Sequence, residues 1–220
     1  MPSPDTWSLI IFDCDGVLVD SEPIGSRVFA ALLTEIGLPT TPEESARDYT
    51  GRSMASCMAM VRERLGRPLP DDFARAFSDR AADAFRAGLR AVPNVETALD
   101  AVARAGWPTC VASSGEHEKM RLTLGLTGLL PRFEGRLFST TEVPRGKPHP
   151  DLFLHAARSL GAEPARCAVV EDAPVGVEAA VAAGMTPFGF AARSDAATLA
   201  ALGAVTFDDM TRLPALLGAA

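Results

Sequence analysis

The chain has 220 residues, 47% of them hydrophobic and 22% charged, the proportions of a globular protein with a sizeable core and room for an inserted module. A net charge of −7 leaves no basic surplus to hold a polyanion, which argues against nucleic acid as partner. It still admits a small anionic substrate, neutralised by a few local cations and a metal.

Four cysteines, Cys14, Cys57, Cys110 and Cys167, form no CxxC pair and join no histidine cluster. Neither a zinc site nor a disulfide framework is expected; they read as small buried hydrophobes. Residues 1–6 lack the basic region of a signal peptide, and no apolar stretch reaches the length of a membrane span. The expectation is a cytoplasmic protein without a membrane or nucleic-acid partner, monomeric by default.

In chain order, residues 8–12 (SLIIF) form a short apolar run that ends abruptly in Asp13-Cys14-Asp15-Gly16. That pattern predicts a strand buried on both faces with a polar loop at its C-terminal end. From about 21 to 88 only helices are expected, over 24–36, 42–49, 54–65 and 71–87, punctuated by Gly37, Pro39, Pro42, Gly51, Gly66, Pro68 and Pro70. Beyond them, strand-like runs at 109–112, 167–170, 186–190 and 204–207 alternate with Ala-rich helical stretches at 95–105, 116–124, 150–160, 175–183 and 195–202. Gly106, Gly161 and Gly184 sit where helices should end. Strands alternating with helices predict an α/β fold, a doubly wound parallel sheet of Rossmann-like type. The expected organisation is a core formed by 1–17 and 91–220, with a helical cap of 18–90 inserted after the first strand. Two crossings close together would make the cap a moving cover.

In such a sheet, ligands bind outside the C-terminal ends of the strands. Asp13, Asp15, Ser113, Glu171 and Asp172 all fall there, and Lys147 can reach the same crevice from a loop. Carboxylates alone repel a phosphate monoester. A hard divalent cation held by Asp13, Glu171 and Asp172, together with one lysine, removes that repulsion. Asp13 can attack phosphorus. Asp15 can protonate the leaving oxygen and then activate water. Taken singly, each of these residues reads as a turn, cap or solvated side chain; their joint place at the strand ends shifts the reading to chemistry.

These residues resemble the motifs of the haloacid dehalogenase-like hydrolase superfamily. Residues 13–22 (DCDGVLVDSE) resemble its first motif, and Ser113-Ser114-Gly115 its second. Lys147 in GKPHPD resembles the third, and 171–176 (EDAPVG) the fourth. The helical insertion is similar to the C1 cap of subfamily I. The resemblance implies that Asp13 is nucleophile and metal ligand, and that Asp15 is the acid–base with its carbonyl on the metal. It further implies that Ser113, with Ser114, and Lys147 hold the phosphoryl group, and that Glu171 and Asp172 complete a Mg²⁺ site.

Within the superfamily, an acid at Asp15 favours phosphate esters over carbon–halogen cleavage. β-Phosphoglucomutase-like relatives typically carry a His where this chain has Gly25, so a phosphatase is expected and a phosphomutase is the alternative. The segments 113–120 and 188–191 resemble phosphatases of 6-phosphogluconate and related sugar phosphates. Glu22 and Arg52 are candidate specificity residues. His117 and Lys119 read as solvated or partly buried side chains.

Overall fold

The computed structural model describes residues 7–219; residues 1–6, considered for a signal peptide, lie outside them. Strand β1 (Leu9–Phe12) opens the chain and is fully buried. Four helices follow: α1 (Glu22–Glu35), α2 (Pro42–Tyr49), α3 (Met54–Leu65) and α4 (Phe73–Gly88). The remainder alternates: α5 (Val95–Arg104), β2 (Thr109–Ser113), α6 (His117–Leu126), β3 (Leu137–Ser139), α7 (Asp151–Ser159), β4 (Cys167–Glu171), α8 (Pro174–Ala182), β5 (Thr186–Phe190), α9 (Ala196–Ala201), β6 (Val205–Phe207) and α10 (Leu213–Leu217).

All pairings are parallel, in the order β3-β2-β1-β4-β5-β6. The α/β class, the doubly wound parallel sheet and the stretch without strands between β1 and β2 are as expected. One strand was missed. The run Leu137-Phe138-Ser139 is too short and too mixed to register as a strand, and only pairing with β2 makes it one. Helix ends differ from expectation by one or two residues, and α10 was not anticipated.

Period-two alternation along β1 supplies both faces of the core. Ile10 and Phe12 pack with Leu99, Val102, Phe133 and Leu213 on one side. Leu9 and Ile11 pack with Phe153, Ala156 and Ala180 on the other. The helical insertion has its own apolar cluster around Phe29, whose ring meets Tyr49, Phe73 and Phe77 edge-on.

Two chain crossings join the insertion to the sheet, and they run side by side. Asp20 N donates to Arg90 O and Val92 N to Leu18 O, at 2.9 and 3.0 Å. Arg193, in the loop after β5, clamps the first crossing through both oxygens of Asp20, each at 2.9 Å. Gly106, Gly161 and Gly184 adopt positive φ after their helices, as expected of C-terminal caps.

Candidate active site

The sheet reverses its winding at β1, which has β2 on one side and β4 on the other. The crevice at that switch point receives the C-terminal ends of all three strands. The cavity there has a volume of about 1230 Å³, and Asp13, Asp15, Glu22, Arg52, Ser113, Ser114, Lys147, Glu171 and Asp172 all line it. The structure thus brings every candidate residue, from five separate segments, into one place.

Lys147 is the hub. Its ammonium donates to Asp13 Oδ1 at 2.6 Å, to Ala112 O at 3.2 Å and to Glu171 Oε1, and it lies 5.0 Å from the Phe153 ring centroid. The side chain is 4% exposed. Burial alone would favour the neutral amine, but Asp13 and Glu171 outweigh it and hold Lys147 above the usual lysine range. The Lys147–Pro148 peptide is cis.

Asp13 follows the last residue of β1, with its N–H on Val170 O at 2.9 Å. Burial pushes its carboxyl up to about 7, against the pull of Lys147 and with the repulsion of Glu171 and Asp15. Asp15 behaves oppositely. Burial would raise it, yet Lys119, 2.8 Å from Oδ2, and Ser21, donating to Oδ1, hold it below the usual carboxylate range. In the cation-free site the surroundings push these two carboxyls in opposite directions, favouring the proton on Asp13 and the ionised form of Asp15.

Glu171 and Asp172 end β4 and lead into α8. The alternative that this pair caps the helix is partly met: Glu171 accepts from the N–H groups of Asp172 and Ala173, both at 3.0 Å, while Ala173 is the residue preceding the helix. Asp172 is raised well above its ordinary value by burial and by Glu22, Glu171 and Asp13. Glu22 is raised to about 7 by burial and by Asp15, with a hydrogen bond to Asp172 pulling it back.

A divalent cation fits this donor set. Oxygens of Asp13, Glu171 and Asp172 lie within 4.8 Å of one another, and all three residues are buried. Two glycines make room for them. A Cβ at Gly16, where φ is +76°, would overlap the Asp172 carboxylate, and one at Gly176 would overlap that of Glu171. Oxygen-only donors and an excess of negative charge suit Mg²⁺.

Ser113 is buried at the end of β2, and its hydroxyl accepts from Gly115 N at 3.1 Å. The loop it opens is braced by the next strand end, because Ser139 donates to Gly115 O and Thr140 to Ser114 O. Arg52 faces the cavity from the insertion, and its Nε donates to Asp48 O at 3.1 Å.

Lys119 is partly buried, within expectation, and the structure adds its pairing with Asp15. Its signal was its place one helical turn beyond the loop after β2. Glu22, a candidate specificity residue, lines the cavity and sits against Asp172 at the carboxylate cluster. His117 is partly buried as expected, with Nε2 3.1 Å from Glu142. All four cysteines are free and buried. Among the described residues no helix is long and apolar enough to cross a membrane.

The pattern of the haloacid dehalogenase-like hydrolase family matches residues 7–184. The chain belongs to this family. It is 31% identical over 208 residues to the 6-phosphogluconate phosphatase of Escherichia coli K12, covering 94% of this chain and 93% of that one. Hexitol phosphatase A of the same organism is 35% identical over 176 residues, covering 79% and 78%. A haloacid dehalogenase-like protein of unknown function from Agrobacterium tumefaciens superposes with a TM-score of 0.82 at 34% identity, covering 97% and 98% of the two chains. This haloacid dehalogenase-like hydrolase is an enzyme of phosphatase type.

Proposed function

We propose that the protein is a Mg²⁺-dependent phosphatase of small phosphorylated sugars or sugar acids, 6-phosphogluconate-like in character, acting through a phosphoaspartate on Asp13. The observation that carries this reading is the buried Lys147 ammonium, 2.6 Å from Asp13 Oδ1. A nucleophilic carboxylate and a fixed cation share one point, where an incoming phosphoryl group needs both. The similarity to a 6-phosphogluconate phosphatase and a hexitol phosphatase supports the substrate class.

On this reading Asp13, Glu171 and Asp172 hold the cation, together with the Asp15 carbonyl. The bound ion would neutralise phosphate charge and orient it for in-line attack. Asp13 attacks phosphorus with one carboxylate oxygen, and the ester oxygen departs. Lys147, Ser113 and the backbone amides of residues 114–115 receive the equatorial oxygens. Lys119 and Ser21 favour the ionised form of Asp15, so it must first take up a proton, which it passes to the departing oxygen before accepting one from the water that cleaves the phosphoaspartate. Residues 18–90 serve as the cap over residues 1–17 and 91–220, and Arg52 meets the substrate's distal polar groups.

The test is a screen of sugar and sugar-acid phosphates with Mg²⁺, reading inorganic phosphate. Asp13→Asn should reduce release by at least about a thousandfold. Retained turnover would remove Asp13 from the nucleophile role. Glucose 6-phosphate formed from β-glucose 1-phosphate without phosphate release would assign the protein to the mutases instead.

A further inference from the structure

Gly25 occupies an odd place. It lies in the first turn of α1, and its N–H closes a helical hydrogen bond to Ser21 O at 2.9 Å. Its φ is not positive, unlike that of eleven other glycines in the chain. A Cβ built there meets nothing within 4 Å. Neither backbone conformation nor packing requires glycine, and in a helix glycine is less favourable than alanine.

What Gly25 does have is a view of the cavity. Glu22, Gly25, Ser26 and Phe29 line it at helical spacing from α1, and of these four Gly25 alone offers no side chain. Facing them, α4 presents Arg75, Ser78, Asp79 and Arg86 to the same cavity. The rise of a helix spreads Arg75 to Arg86 over about 16 Å. A phosphoryl group with a two- or three-carbon ester would leave most of that wall uncovered. Among the described residues, the side chains of Arg75 and Asp79 have no ion-pair or hydrogen-bond partner, so their polar ends are available to a ligand.

We propose that Gly25 is a size determinant for the substrate: its missing side chain opens the α1 wall to the carbon chain of an extended, hydroxylated phosphate ester, whose hydroxyls face Ser78 and Asp79 of α4. The assignment rests on the phosphatase reading above and adds to it the chain length of the ester and the side of the cavity it occupies. A branched side chain at residue 25 fills the space the carbon chain needs, whereas a short ester does not reach it.

The experiment compares wild type, Gly25→Ala and Gly25→Leu on a six-carbon sugar-acid phosphate, a hexitol phosphate and glycerol phosphate. The expected result for Gly25→Leu is a fall of about tenfold or more in the six-carbon to three-carbon ratio of kcat/KM, carried by KM. Gly25→Ala should melt no lower than wild type. An unchanged ratio in Gly25→Leu, or a lower melting temperature in Gly25→Ala, would overturn the assignment, because the glycine would then serve the helix. Calorimetric titration of the same esters onto Asp13→Asn, with and without Gly25→Leu, reads size discrimination without turnover. Selective loss of the six-carbon ligands supports the proposal, and equal affinity overturns it. Failure of the phosphatase reading would show separately, as no phosphate release from any ester by wild type.

Discussion

Lys119 Nζ lies 2.8 Å from Asp15 Oδ2, while Ser21 Oγ donates to the other oxygen of the same carboxylate. Asp15 is thereby fixed from two sides, by the helix after β2 and by the residue that leads into α1. Its carboxylate cannot rotate without losing a partner.

Lys119→Met removes one of those restraints. Turnover of alkyl phosphates, whose leaving oxygen must be protonated, should fall about tenfold or more. Aryl phosphates with a good leaving group depend less on that proton and should fall less. Steady-state kinetics on both ester types checks this. An equal loss on the two would rule out a role through Asp15. Lys119→Arg should recover part of the difference.

Lys147→Met leaves Asp13 and Glu171 as adjacent buried carboxylates with no cation between them. Breaking such a pair from one side costs about 3–5 kcal/mol. Urea unfolding of the metal-free protein should show a drop of that order together with loss of activity. A variant as stable as wild type would mean that the three side chains reorganise freely.

Without a cation, stability should fall as pH rises from about 4 through 7. Asp13 and Glu22 are both raised to about 7 in the folded protein, above their ordinary values. Across that window the native state holds protons that the unfolded chain has released, so raising the pH favours unfolding. Divalent cation binding requires the ionised carboxylates. The increase in melting temperature on adding MgCl₂ should accordingly be larger at pH 8 than at pH 5. Scans in EDTA and in MgCl₂ at the two pH values test both statements; stability rising with pH in EDTA would contradict them.

Gly176→Ala tests the cradle around Glu171. The added methyl overlaps the Glu171 carboxylate, which must then leave Lys147 or the amides of Asp172 and Ala173. Disturbing a group that orients metal ligands costs about 10- to 100-fold in metal affinity. The Mg²⁺ concentration for half-maximal activity should rise by about that factor, with the helical circular dichroism retained. Unchanged Mg²⁺ dependence would place Glu171 outside the cation site.

Most of the sheet was readable because each buried strand announces itself locally. Leu9 to Phe12 is a continuous apolar run that ends in acids, and such a run has few other structural solutions. Helix ends were readable where glycine terminates them, as at Gly106 and Gly184. Strand β3 was not, because three residues at a sheet edge carry too little pattern; parallel pairing with Val111–Ser113 of β2 defines it. The grouping of Asp13, Ser113, Lys147 and Glu171 was inferred from the rule that parallel strands present their C-terminal ends together.

The sequence by itself determined which chemistry the crevice can hold: the acids at the ends of β1 and β4, the lysine opposite them, and the glycines that leave them room. All of these are set by residue type and by distance from a strand end, which are local quantities. Only the tertiary structure decided which acid each cation serves. Lys147 reaches Asp13 and Glu171 across 134 and 24 residues, and Lys119 reaches Asp15 across 104. It likewise decided that Glu22 packs against Asp172 and that Gly25 faces the cavity. Those relationships depend on where side chains from separate elements point after packing, and no pattern within one segment encodes that direction.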